Sequence, residues 1–207
     1  MRTQKASRHE VALIAALVAV VVIGAGVYWG VMQVQNAEYQ QRIEDSTVVV
    51  NPGETHNVSA SQSPWDGTME ITLTRSAWYE SFDDAQRAED LGDVSDYAEG
   101  GDGGYVVCEL LLHSVDAVPM FYEKDQLNVS VFRLLFPDGT TYVTPESVWS
   151  SVPKLKDENS SIYTLEFSQG DTATVLLGYP LASDEPLDGL TLTCTSSLTR
   201  FVLDLTL

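Results

Sequence analysis

The stretch Tyr105–His113, YVVCELLLH, decides the fold. Val106, Cys108, Leu110 and Leu112 fall on one side of an extended chain, and Val107, Glu109, Leu111 and His113 on the other. That two-residue alternation, rich in β-branched and aliphatic side chains, is a strand pattern with one face in a core.

Similar runs lie on both sides of it. Thr47–Val50 (TVVV) stops at Asn51-Pro52-Gly53, a strong turn cluster, and His56–Ser59 is expected to pair back across that turn. Met69–Trp78 (MEITLTRSAW) alternates, with Met69, Ile71, Leu73 and Arg75 on one side and Glu70, Thr72 and Thr74 on the other. Asn128–Phe136 is the next run, and Pro137-Asp138-Gly139 turns it into Thr140–Val143. Pro145–Ser151, carrying Trp149, reads as a helical turn. Ile162–Phe167 and Thr172–Gly178 flank a turn at Ser168–Asp171, and Leu190–Cys194 and Leu198–Leu207 close the chain. Eight or nine short strands spaced by turns predict an all-β, immunoglobulin-like sandwich over residues 47–207.

The amino terminus differs. Residues 1–10 carry Arg2, Lys5 and Arg8 against Glu10, and Val11–Met32 then runs 22 residues without a charge. As a helix it spans about 33 Å, enough for a bilayer core of about 30 Å. Basic residues on the near side set a cytoplasmic amino terminus, and Tyr28 and Trp29 suit the far lipid boundary. A cleaved signal peptide is the alternative, cut near Gly24-Ala25-Gly26, but apolar residues continue past that point to Met32. The reading is therefore a cytoplasmic tip (1–10), a single-pass membrane anchor (11–32), a polar stalk or linker (33–46) and an extracytoplasmic domain (47–207). From residue 33 onward, 8 bases face 29 acids in a chain whose whole formal charge is −19. Such an acidic surface repels phosphate backbones, so nucleic acid is not an expected partner. It attracts cations and basic proteins instead.

Much of that charge sits in one insertion, Ser81–Gly104, SFDDAQRAEDLGDVSDYAEGGDGG, with eight carboxylates and one base, Arg87. Ser81 to Asp84 has helix-cap spacing, so Asp84–Leu91 is expected to make two helical turns before a loop beyond Gly92. Asp93, Asp96, Glu99 and Asp102 recur at every third residue and are the candidate cation ligands, with calcium the cation considered. The spacing does not match an EF-hand, so no metal or other cofactor is assigned, and a solvated loop is the competing reading. Trp65, Trp78 and Trp149 lie near strand ends, where exposed rings would stack on cell-wall glycan and buried ones would plug the core.

Cys108 shares a face with Val106 and Leu110, and Cys194 with Leu190 and Leu192. Both point toward the expected core, as a disulfide in an exported domain or as two buried thiols.

The segments ITLTRSAWY, GGYVVCELLLHSVDA, FPDGTTY and FSQGDTATVLLGYPL, behind an anchor and stalk, resemble the immunoglobulin-like ectodomains of unknown function on membrane-anchored proteins and lipoproteins of Gram-positive bacteria. The likeness covers residues 69–195, with Gln169-Gly170-Asp171 at the family's late turn. The long acidic insertion and the irregular Pro119–Leu127 depart from it. The resemblance implies a fold and an extracytoplasmic place, and carries no catalytic residues.

Enzymatic chemistry has no expected machinery. Of three histidines His9 lies in the cytoplasmic tip, and neither a Gly-x-Ser-x-Gly elbow nor a His-Glu-x-x-His pair occurs. The expected function is non-enzymatic: an envelope protein that presents an acidic sandwich to a basic protein or a cation. A binder of wall glycan or calcium is the alternative.

Overall fold

The computed structural model describes residues 46–62, 64–89, 102–119, 123–156, 163–183, 185–194, 197 and 199–205. The expected tip and anchor, and all of the stalk but Ser46, lie outside these residues. Among the described residues no helix is long and apolar enough to cross a membrane.

Residues 47–207 form one compact unit, and its described residues are all-β apart from two short helices. In chain order the strands are β1 (Val48–Val50), β2 (Thr55–Gln62), β3 (Trp65–Tyr79), β4 (Tyr105–Ser114), β5 (Val118–Pro119), β6 (Gln126–Asn128) and β7 (Phe132–Leu135). They continue as β8 (Tyr142–Val143), β9 (Ser147–Ser150), β10 (Lys154–Lys156), β11 (Tyr163–Glu166), β12 (Thr172–Pro180), β13 (Thr191–Cys194) and β14 (Thr199–Val202). Helix α1 (Phe82–Glu89) follows β3, and a 3-10 turn (Val129–Val131) separates β6 from β7.

Two main sheets face each other. One has the order β2-β3-β4-β12-β9, with β5 added to the start of β3, and the other β1-β14-β13-β7-β8. A small sheet, β10-β11-β6, stands beside them. The core between the sheets takes Ile71, Leu73, Cys108, Leu110, Leu112 and Leu177 from the first sheet, and Phe132, Leu134, Leu192, Cys194 and Phe201 from the second. Tyr179, fully buried, donates its hydroxyl hydrogen to the Phe132 carbonyl of the facing sheet at 3.1 Å. A full complement of buried aliphatic and aromatic side chains of this kind is the main stabilising term, at about 1.5–3 kcal/mol for each large apolar side chain removed from water.

Tyr105–His113 is the centre of this arrangement. β4 lies between β3 and β12 over its whole length, and Val106, Cys108, Leu110 and Leu112 are all buried inward. Four expectations change. β1 does not pair with the chain after its turn; it runs parallel to β14 in the other sheet, while β2 pairs with β3. The Asn51–Gly53 turn thus carries the chain from one sheet to the other, and Gly53 N–H donates to the Leu73 carbonyl.

The alternation in Met69–Trp78 breaks at a bulge. Ile71 and Leu73 oppose Leu112 and Leu110, but the next pair is Arg75 with Glu109. One extra residue, Thr74, shifts the side-chain parity, so Arg75 points outward and Ser76 inward. An unshifted strand would have placed the guanidinium in the core.

Asn128–Phe136 is not a single strand, because the Asn128 side chain accepts from the Ser130 N–H at 2.8 Å and caps a 3-10 turn. Residues around Trp149 form an edge strand, β9, rather than a helical turn, since β12 offers them a free edge to pair with.

Candidate functional site at the root of the acidic insertion

The sandwich holds the acidic insertion at both ends. Its amino-terminal root is α1. Ser81 Oγ accepts from the Asp84 N–H at 3.2 Å and donates to Asp84 Oδ2 at 2.7 Å, a capped first turn of the kind expected from the sequence. Arg87 closes the helix surface, its Nη2 2.6 Å from Asp84 Oδ1. The helix lies on the outer face of the six-stranded assembly, where Ala85, Tyr105, Val107 and Leu176 form a second, smaller core. Phe82 meets Tyr105 edge to face, with ring centroids 5.3 Å apart. Under the rings, the Tyr105 hydroxyl bonds Ser147 Oγ. Gly178 leaves room for that pair, because a Cβ there would run into both Ser147 Oγ and the Tyr105 ring.

The last residue of α1 locks the root. Glu89 has only 2% of its side chain exposed. Arg75 Nη1 donates to its Oε1 at 2.7 Å, Arg75 Nη2 pairs with its Oε2, and the Tyr79 hydroxyl also donates to Oε1. Arg75 Nη2 also reaches Glu109 Oε2 at 3.3 Å, and Glu109 Oε1 accepts from the Thr74 hydroxyl at 2.7 Å. Burial alone would raise the Glu89 pKa; hydrogen bonds from Arg75 and Tyr79, with the Arg75 charge, outweigh it and hold the carboxyl below its ordinary value. Burial, then the bond to Glu89, pushes the Tyr79 hydroxyl up to about 12. Arg75 is raised as well, first through its hydrogen bonds to Glu89. The bulge at Thr74 makes this cluster possible, since it turns Arg75 to the face where Glu89 and Glu109 lie.

The carboxyl-terminal root is a second set of fixed contacts. Gly103 N–H donates to the Leu181 carbonyl at 2.8 Å, and Leu181 N–H returns a bond to the Gly104 carbonyl at 3.0 Å. Gly104 has φ +103, and a Cβ there would meet Trp78 Nε1 at 2.5 Å and the Tyr79 carbonyl at 2.7 Å. Asp102 Oδ1 accepts from the Ser183 N–H at 3.1 Å.

The candidate residues separate on these contacts. Asp93, Asp96 and Glu99 lie outside the described residues. Asp102 is exposed and already engaged with Ser183. Among the described residues, no group of three or more His, Cys, Asp or Glu is placed to hold a metal ion.

Trp65 cannot stack on a glycan. It is fully buried in the main core, with Nε1 3.4 Å from the Val58 carbonyl that accepts its hydrogen. Trp78 packs against the main core, where its buried Nε1 finds no acceptor among the described residues, and Trp149 packs against the second core. All three rings serve packing first, as large apolar bodies at strand ends do.

Cys108 and Cys194 both face the main core, as their parity predicted, one on each sheet. Cys108 stands as a thiol and is not joined to Cys194. Facing sheets lie about 10 Å apart, and a disulfide needs Cα atoms within about 7 Å, so inward parity alone does not bring two cysteines to bonding distance. Burial pushes the Cys108 thiol well up, which makes it inert rather than nucleophilic. His113 Nδ1 lies 2.9 Å from Thr172 Oγ1 on the outer face, a local cross-strand bond.

Sequence reasoning missed the Arg75–Glu89–Tyr79 cluster. The signal was present as the Arg and Tyr of TRSAWY four residues apart, but the bulge that aligns them leaves no mark in a simple alternation.

A scan against protein-family models finds no match to this chain, and a search of curated proteins finds none. Among solved structures, a secreted protein of Mycobacterium tuberculosis, MPT63, is similar at 10% identity and a TM-score of 0.40, covering 75% of this chain and 96% of that one. No functional reading rests on that likeness.

Proposed function

We propose that this chain is a non-enzymatic, single-pass cell-envelope protein of immunoglobulin-like class, with its tip (1–10) in the cytoplasm and its sandwich (47–207) outside. The sandwich presents the acidic insertion Ser81–Gly104 to a basic protein or a cation. The observation that supports this reading is the anchoring of the insertion at both roots: α1 sits on a dedicated core and is pinned by Glu89, and Asp102–Gly104 is bonded to the chain at 181–183. A rigid scaffold that fixes the ends of a charged segment is the usual way a sandwich displays a recognition element.

A photo-crosslinker placed in the insertion of the membrane-bound full chain tests it. Capture of one basic envelope protein, lost when Asp93, Asp96 and Glu99 become Asn or Gln, is the expected result. Turnover of a substrate abolished by changing one carboxylate would overturn the non-enzymatic reading. The alternative, a calcium or glycan binder, is tested by melting in EDTA against millimolar calcium or muropeptide. A ligand at 100 times its Kd adds about 2.7 kcal/mol, which moves a melt by several degrees.

A further inference from the structure

The insertion's proposed role leaves its partner open, and the opposite face of the sandwich supplies one. The strands β1, β14, β13, β7 and β8 contain no Asp or Glu, in a chain with 30 acids. They contain two bases, Arg133 and Arg200. The register sets Arg200 opposite Thr193, and Thr193 opposite Arg133. Residues directly opposite one another share a face, so both arginines leave the same outer face in one row. Their backbones are two strand spacings apart, about 9.5 Å.

Neither guanidinium has a carboxylate within 4.0 Å among the described residues, whereas Arg75 pairs with Glu89 and Glu109, and Arg87 pairs with Asp84. The Arg133 guanidinium carbon lies 4.2 Å over the centroid of the Tyr142 ring, which is half exposed, and Arg133 Nε is buried with no acceptor among the described residues. A guanidinium stacked this way is held flat and loses little freedom when a carboxylate takes its fork.

We propose that this face docks the acidic insertion of a second copy of the chain. The inference rests on the reading that the insertion is an interaction element, and it names the basic partner. Charge complementarity selects the occupant. Asp93, Asp96 and Glu99 recur at every third residue. A carboxylate brought to either guanidinium accepts a charge-assisted, bidentate pair from it. The roots of the insertion lie on the six-stranded side and the arginines on the outer face of the other sheet. The contact is therefore head to tail, and it leaves one insertion and one arginine face open for further copies.

Sedimentation velocity of the full chain in detergent tests this at about 0.05 M and about 0.5 M salt, which bracket strong and weak screening. We expect concentration-dependent association at low salt, weaker by at least about tenfold at high salt, and a similar loss in R133Q/R200Q and in D93N/D96N/E99Q. Neither D93K/D96K/E99K nor R133E/R200E should self-associate, and mixing the two should restore a complex. Far-UV spectra and melts identify folded variants. Self-association of folded R133Q/R200Q equal to the parent, or a mixture of folded charge-reversed chains that stays monomeric, overturns the proposal. So does binding of polygalacturonate to the arginine face by a chain that is monomeric at every salt. If the chain is monomeric but its insertion still crosslinks a different basic protein, this inference fails and the proposed function stands. If the insertion captures nothing in either assay, both fail.

Discussion

Arg75 and Arg133 both leave the middle of a strand and point away from the main core, on opposite sides of one sandwich. Arg75 is paired although its side chain is half exposed: its guanidinium meets Glu89 and Glu109, the Tyr79 hydroxyl shares Glu89, and α1 covers the sheet beside it. Arg133 stacks on the Tyr142 ring, and among the described residues neither it nor Arg200, in the same row, has a carboxylate partner. The difference lies in the neighbours. The six-stranded side carries acids on β3, on β4 and on the helix laid over them, so its arginine is neutralised internally. The five strands behind it carry none, and their arginines have no carboxylate partner among the described residues.

The largest expected effect breaks the covered side. Tyr105→Ala removes the ring under Phe82 and the bond to Ser147, and should cost about 3–5 kcal/mol by chemical denaturation. The matching truncation on the open side, Tyr142→Ala, should cost about 1 kcal/mol or less, since that ring is half exposed. Equal losses would mean that the two faces do not differ in packing.

Gly178→Ala comes next. The added Cβ meets Ser147 and Tyr105, and overpacking of this kind costs about 1–3 kcal/mol. A stability gain, as expected for glycine in an open strand, would show that the second core yields.

Glu89→Gln should cost about 1–2 kcal/mol near neutral pH, because it leaves Arg75 with a weaker partner on a half-exposed side chain. The sign follows from its lowered pKa. The folded state binds the Glu89 proton less readily than the unfolded chain, so this stabilisation is present above the unfolded value of about 4.3. It is lost as pH falls through the folded value below that. Denaturation curves from pH 7 to pH 3 should fall more steeply in the parent than in E89Q. Parallel curves would remove Glu89 as the lock. At high pH the neutral Tyr79 is favoured, and its contribution should fade from about pH 10 toward 12.

The smallest effect sharpens the comparison. Arg200→Gln should change stability by about 0.5 kcal/mol or less, since no carboxylate among the described residues holds it. A loss near that of E89Q would reveal a partner inside the domain. Cys108 provides an independent check on the core: alkylation should be negligible in the native state and complete, without reductant, once the chain unfolds. A requirement for reductant would show a disulfide.

Much of this architecture is legible along the chain. The alternation in Tyr105–His113 marks the central strand and its inward face, because period two is a local consequence of extended backbone. The turn at Pro137–Gly139 and the cap at Ser81 are equally local, each set by a few residues and their own hydrogen bonds. What escapes is non-local. The sheet that receives β1, the edge that makes Trp149 a strand residue, the depth of Trp65 and the separation of Cys108 from Cys194 all depend on residues far away in sequence. The bulge at Thr74 is the clearest case: one unpaired residue reverses the parity of everything after it, and only pairing with β4 reveals it. The sequence by itself determined the central strand, the hairpin turn at Pro137–Gly139, the acidic insertion and the apolar amino-terminal segment, because propensity, periodicity and charge are properties of short stretches. The tertiary structure alone decided which arginine is neutralised and which is left open, because electrostatic partnership depends on distance in space rather than along the chain.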